Sequence, residues 1–278
     1  MDQFTPDRAS LYHYKLDRIL GQGGTGRVYR GIDTKKGEVV AIKLFRENFF
    51  RNKLHLRDLV KSVKRFKKYC NPHVVQIYDF IDGADGRCMI MEYIDGPDLK
   101  WYLQNRPWNL TERINIVGQI CSGLQYLHDQ KIIHHDIKPA NILFTRTGQA
   151  KLADFSLYGS SLLLELIDKG AGEQITPMYV PPEIIRSDSP SPQSDQYSLG
   201  VTLYLMFTEQ VPFQVDSLQR LYQCHLSAEP EHPTLVNPRC PQALGDIIMR
   251  TLAKNPKDRF SDCDMLRIAI MKLAQSRI

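Results

Sequence analysis

Along the first ninety residues the apolar side chains come in short, β-branched-rich runs. Residues 16–19, 27–32 and 39–44 form three such runs separated by Gly and Lys turns, which predicts strands. Leu56, Leu59, Val63 and Phe66 then recur at helical spacing, so 54–69 reads as an amphipathic helix, ended by Asn71 and Pro72. Residues 74–80 and 88–93 read as two further strands around a turn at 82–86. From about residue 98 the pattern turns helical. Ile114, Val117, Cys121 and Leu124 mark one face of a long helix opened by Thr111, and a second apolar helix covers 195–207. No internal repeat or low-complexity linker interrupts the chain. The pattern predicts a small β-rich lobe followed by a larger α-rich lobe, with the junction at 94–96.

Composition narrows the class. The 278 residues are 42% hydrophobic and 24% charged, enough to bury a core without disulfides or metal. The six cysteines, at 70, 88, 121, 224, 240 and 263, form no C-x-x-C pair, so neither a zinc ribbon nor a disulfide framework is expected. The first residues lack the apolar core of a signal peptide. The longest apolar stretch, 199–207, is too short to cross a bilayer. A cytoplasmic protein with no membrane segment is expected.

Charge is uneven. Residues 1–94 carry 18 Lys and Arg against 11 Asp and Glu, a balance of +7, whereas residues 95–278 balance at −2. The excess concentrates at 51–68, where Arg51, Lys53, Arg57, Lys61, Lys64, Arg65, Lys67 and Lys68 face one acid, Asp58. Such a run suits nucleic acid or acidic lipid, but a solvated helix face is the more economical reading, and no nucleic acid is expected. The basic helix at 51–68 remains a candidate partner surface, as does the apolar run from Leu162 to Ile167.

Three motifs carry chemistry. Gly21, Gln22, Gly23, Gly24, Thr25, Gly26, Arg27 and Val28 have the form G-x-G-x-x-G-x-V, in which glycine lets backbone N–H groups approach phosphate oxygens. A strand follows rather than a helix, which argues against a dinucleotide fold. Val40, Ala41, Ile42 and Lys43 come next, and a lysine in an apolar strand is costly unless its charge meets an anion. The strongest signal is the run from His134 to Asn141. Asp136 is able to deprotonate a hydroxyl, Lys138 to neutralise a transferring phosphoryl group, and Asn141 to offer an oxygen to a metal ion. Asp154, thirteen residues on, adds a carboxylate suited to Mg2+ across phosphates.

In order and spacing this set resembles the eukaryotic-type Ser/Thr protein kinase catalytic domain, and bacterial members in particular. Thr176 to Glu183, Asp195 to Gly200 and Asn255 to Phe260 extend the resemblance. It implies an α+β bilobal fold, with 1–278 as a single kinase domain: 12–94 the N-lobe with one main helix, 95–275 the α-helical C-lobe. It implies ATP and Mg2+ as cofactors and protein substrates bearing Ser or Thr. Residue by residue, it implies that Gly21, Gln22, Gly23, Gly24, Thr25 and Gly26 cover the phosphates and that Lys43 contacts them. Val28, Ala41 and Leu143 would sandwich adenine, Met91 would be the gatekeeper, and the backbones of Glu92 and Ile94 would bind adenine. Asp98 would meet the ribose. Asp136 would be the catalytic base, assisted by Lys138, with Asn141 and Asp154 holding the metal. Glu183 would pair with Arg259, Asp195 would brace the catalytic loop, and Thr176 would touch Asp136.

The chain also departs from the family. The helix glutamate that normally pairs with the phosphate-binding lysine is replaced by Ser62, and Asp58, one turn earlier, could substitute only if the helix shifts. His135 stands where H-R-D has arginine, Ser156 where D-F-G has glycine, and Pro181 where A-P-E has alanine. The usual activation-segment phosphosite falls on Gly172. Lys43, Asp136, Asn141 and Asp154 are all present, which favours an active kinase. A pseudokinase serving as a nucleotide-binding interaction module is the alternative.

Overall fold

The computed structural model describes residues 10–46, 53–68, 70–83, 86–155 and 176–275. These residues divide into two compact units. One holds the chain up to Asn71 together with Val75–Asp95, and the other holds Pro72–Val74 and the chain from Gly96 onward.

In the first unit, strands Ser10–Leu11 (β1), Tyr14–Gly23 (β2), Gly26–Asp33 (β3), Glu38–Phe45 (β4), Ile77–Gly83 (β5) and Gly86–Glu92 (β6) form one sheet in the order β1-β2-β3-β4-β6-β5. Every pairing is antiparallel. Leu11, Tyr14, Tyr29, Val40, Ile42, Cys88 and Ile90 are buried together on this sheet. The helix Lys53–Phe66 (α1) buries Leu59, Val63 and Phe66, the positions its periodicity predicts. The fifth strand begins at Ile77 rather than residue 74. Val74 and the preceding His73 are diverted to the second unit, where Leu152 N–H donates to the His73 carbonyl at 2.9 Å.

The second unit is mostly helical: Leu99–Asn105 (α2), Leu110–Asp129 (α3), Pro182–Ile185 (α4), Pro192–Thr208 (α5), Leu218–Ser227 (α6), Pro233–Val236 (α7), Gln242–Thr251 (α8) and Cys263–Gln275 (α9). A hairpin of Ile142–Phe144 (β7) and Ala150–Leu152 (β8) lies beside α3. Helix α3 starts before Thr111 because Asn109 caps it. The Asn109 side chain accepts from Glu112 N–H at 2.8 Å, and Glu112 returns the bond to Asn109 N–H at 3.1 Å. Helix α5 likewise opens before residue 195, with Ser191 at its cap and Pro192 in the first turn. It is buried nearly all round: the apolar run 199–207 fills its second half, while its first half buries the polar Ser194, Asp195, Gln196 and Ser198.

Candidate active site

The glycine motif forms the turn between β2 and β3. Gly23 pairs with Gly26 and Gly21 with Val28, leaving Gly24 and Thr25 as the two-residue tip. Its glycines are needed for different reasons. A Cβ on Gly26 would be driven into the Leu44 carbonyl of β4, so packing requires that glycine. A Cβ on Gly21 or Gly23 would meet nothing within 4 Å, so the fold alone does not demand glycine there. Open space above exposed backbone is what an approaching phosphate needs.

Lys43 lies on β4 between Val28 of β3 and Met89 of β6, and only 3% of it is exposed. Its Nζ sits 5.7 Å from the centre of the Phe45 ring. Ala41 pairs with Met91, and both are buried. Glu92 uses its side chain structurally, accepting from Gln76 N–H at 3.1 Å, which ties the end of β6 to the entrance of β5. Ser62 is half-buried on α1. The side chain of Asp58 lies outside the described residues, as do Ser156, Gly172 and the run from Leu162 to Ile167.

The catalytic run lies wholly in the second unit. The Asp136 carboxylate meets Lys138 Nζ at 2.7 Å. Asn141 Nδ2 donates to both the backbone oxygen and Oδ2 of Asp136, each at 2.8 Å. Lys138 Nζ also donates to Thr176 Oγ1 at 2.8 Å, so Thr176 is linked to Asp136 through the lysine. Ala153 N–H donates to the Asn141 carbonyl at 2.9 Å and sets Asp154 beside Asn141 at the end of the β7–β8 hairpin. His135 and Asp154 both hold left-handed backbone, at φ 68° and 61°. For non-glycine residues that conformation costs about 1–3 kcal/mol each and persists only where the surroundings enforce it.

Asp195 on α5 enforces it at His135. Its Oδ2 accepts from His134 N–H at 2.8 Å and its Oδ1 from His135 N–H at 2.9 Å. Burial pushes this carboxyl up, but the hydrogen bond and charge of His128, with His134 and His135 nearby, outweigh it and hold the carboxyl below its ordinary value. His128 Nε2 lies 2.7 Å from Oδ2, and Cys263 Sγ lies 3.7 Å from the other ring nitrogen. His128 carries no signal in the sequence beyond its place four residues after Leu124 on the buried face of α3. Burial lowers the pKa of His134 and of His135, more than the neighbouring carboxylates restore, so both rings are neutral near pH 7.

Glu183 and Arg259 pair as the family resemblance implies, through two hydrogen bonds. Asp98 caps α2, its Oδ1 accepting from Trp101 N–H at 2.7 Å, and it forms an isolated bridge with Leu143. The structure therefore gives Asp98 a local role independent of any ribose.

The family model for the protein kinase domain matches residues 14–271. The chain belongs to the protein kinase family. It is 31% identical over 258 residues to the probable serine/threonine-protein kinase PknB of Lactococcus lactis, covering 90% of this chain and 40% of that protein. It is 31% identical over 252 residues to serine/threonine-protein kinase PrkC of Bacillus subtilis, covering 90% and 39%. Among solved structures, the PknI kinase domain of Mycobacterium tuberculosis aligns with a TM-score of 0.75 at 22% identity, covering 95% of this chain and 97% of that one. The kinase chain thus shares the α+β bilobal fold and spans about 40% of the length of the curated relatives it matches. Among its described residues no helix is long and apolar enough to cross a membrane.

Proposed function

We propose that this kinase domain transfers the γ-phosphoryl group of Mg·ATP to Ser or Thr hydroxyls of proteins. The observation that carries the reading is the hydrogen-bonded set of Asp136, Lys138, Asn141 and Thr176, held on a loop whose backbone is fixed by a buried aspartate. Phosphoryl transfer asks a protein mainly to position and to neutralise. Asp136 takes the proton of the acceptor hydroxyl, its carboxylate oriented by Asn141 Nδ2. Lys138 carries positive charge beside that carboxylate and fixes Thr176 at the start of the docking segment.

The residues fit the cofactor. Asn141 Oδ1 and the Asp154 carboxylate are hard oxygen donors, the class Mg2+ selects. Two protein oxygens fall short of an octahedral shell, which is normal where phosphates and water complete it. When bound, Mg·ATP supplies the phosphoryl group and the counter-charge on its oxygens. Gly21 and Gly23 leave the backbone of the β2–β3 turn accessible to phosphate, and Lys43 provides a cation on the neighbouring strand.

His135 cannot play the part of the usual H-R-D arginine. A neutral imidazole offers no cation to a phosphorylated activation segment. Activity therefore does not depend on a phosphate within 156–175. The second reading, a nucleotide-binding pseudokinase, rests on Ser62 in place of the helix glutamate.

The test is transfer of labelled phosphate from Mg·ATP to the kinase itself and to generic protein substrates, with phosphatase-treated enzyme as starting material. Asp136→Asn should lower turnover by ~10²–10⁴-fold and leave ATP affinity nearly intact. A wild-type chain that binds ATP but transfers nothing would overturn the proposal in favour of the pseudokinase.

A further inference from the structure

Helix α1 carries a charged stripe that phosphoryl transfer does not use. Arg57, Lys61 and Lys64 fall at spacings of four and three, so they stand one above another on one face, and Lys68 follows two residues past the end of the helix at Phe66. All four are exposed. The opposite face buries Leu59, Val63 and Phe66. Among the described residues none of the four makes an ion pair, whereas Lys67, off the stripe, is paired with Asp79 at 2.7 Å. Seven residues of helix rise set Arg57 and Lys64 about 10 Å apart along the axis.

We propose that this stripe is a docking site for an acidic segment of a partner protein. Three classes of anionic partner suit a row of cations, and the surroundings distinguish them. Helices that settle on membranes expose apolar side chains beside their basic ones. Among the described side chains of α1 no large apolar residue is exposed. Single-stranded nucleic acid is held by aromatic side chains interleaved with the basic ones. The one aromatic residue within 57–68, Phe66, is 2% exposed. What remains, among the described residues, is a row of charge without an inserting or stacking group. That complements a polypeptide carrying carboxylates at matching intervals, whose own backbone satisfies its polar groups. The sign of the field agrees, since the basic excess of the whole chain lies in residues 1–94.

The experiment uses the full 278-residue chain and a fluorescent ten-residue oligoglutamate peptide, read by anisotropy at low and at physiological salt. One variant carries Arg57→Ala, Lys61→Ala, Lys64→Ala and Lys68→Ala. A control variant removes four exposed cations elsewhere, through Lys35→Ala, Lys36→Ala, Lys131→Ala and Lys257→Ala. Both keep the same net charge, and circular dichroism with thermal unfolding verifies that both fold. The stripe variant should lose peptide affinity by at least tenfold and lose most of the salt dependence, while the control stays within about twofold of wild type. Equal losses in the two variants, or no binding of the peptide by wild type, would overturn the proposal. Tighter binding of a ten-residue oligothymidylate, or of phosphatidylserine vesicles, than of the peptide would overturn it in favour of that partner class. Should the stripe variant fail to fold, Lys61→Glu with Lys64→Glu replaces it with the same expected loss.

Discussion

Arg259 clasps Glu183 end to end. Nη1 lies 2.6 Å from Oε1 and Nη2 lies 2.9 Å from Oε2, and both side chains are almost wholly removed from water. Two further donors of the guanidinium reach the Ala253 carbonyl at 2.9 Å and the Gln193 carbonyl at 2.8 Å, and the Tyr197 ring centre lies 4.9 Å from it. This buried pair, with four of the five guanidinium donors engaged, links α4, the start of α5 and the turn before α9.

Removing one partner leaves the other charged and buried. Arg259→Ala is expected to destabilise the kinase by about 3–5 kcal/mol. Replacing both partners, Glu183→Leu with Arg259→Met, should cost markedly less. Urea unfolding monitored at two wavelengths checks both. Equal losses from the single and the double variant would mean that volume, not charge, dominates.

Much of this is legible in the sequence. The catalytic run, the glycine turn and the lysine strand are short motifs whose spacing is set by local backbone, so sequence order alone brings out their chemistry. Less visible were contacts made across long separations by single side chains. His128 looks like one more residue on the inner face of α3, yet it holds Asp195 sixty-seven positions away. Asp98 shows the reverse. Its acid group stands at a family position, and one of its oxygens also caps α2. Helix α3 opens at Leu110 rather than Thr111 because Asn109 and Glu112 together form a better cap than a lone threonine.

The two kinds of glycine in the β2–β3 turn separate fold from ligand. Gly26→Ala should lower stability by roughly 1–3 kcal/mol, since its Cβ enters the β4 backbone. Gly23→Ala should leave the unfolding midpoint nearly unchanged and weaken binding of an ATP analogue. Thermal unfolding with and without the analogue reads both effects. A folded, fully stable Gly26→Ala protein would contradict the packing argument.

Acid should weaken the second unit through its buried histidines. Burial first, then repulsion from Lys254, lowers the pKa of His225 from 6.5 to about 4. Between those values the unfolded chain binds a proton that the folded chain refuses, so stability falls as pH drops through that window. One such proton gives a slope of up to about 1.4 kcal/mol per pH unit. His134 and His135, lowered for the same reason, add to it in the same direction. Urea midpoints measured from pH 7 to pH 4 should fall steadily, and His225→Gln should flatten the curve by one proton's share. A curve unchanged by that substitution would remove His225 from the account.

Ser62 invites a gain of function. Ser62→Glu should raise kcat/KM for ATP several-fold by restoring the acid that the family places on this helix. Asp58→Ala serves as its partner experiment. A neutral Ser62→Glu with a damaging Asp58→Ala would show that Asp58 already serves Lys43. If neither substitution changes turnover or ATP affinity, Lys43 is positioned by other groups.

The strand order of the first unit bears on how the protein comes into being. Apart from the β4–β6 pair, every ladder in the sheet joins consecutive strands, and all its strands have been translated by Glu92. Neighbouring antiparallel strands close short loops, which is the fast kind of assembly. The brace on His134 and His135, by contrast, waits for Asp195, some sixty residues behind them. Synthesis therefore delivers a sheet able to close long before the loop that does the chemistry has its anchor, and the nascent chain acquires its catalytic geometry late.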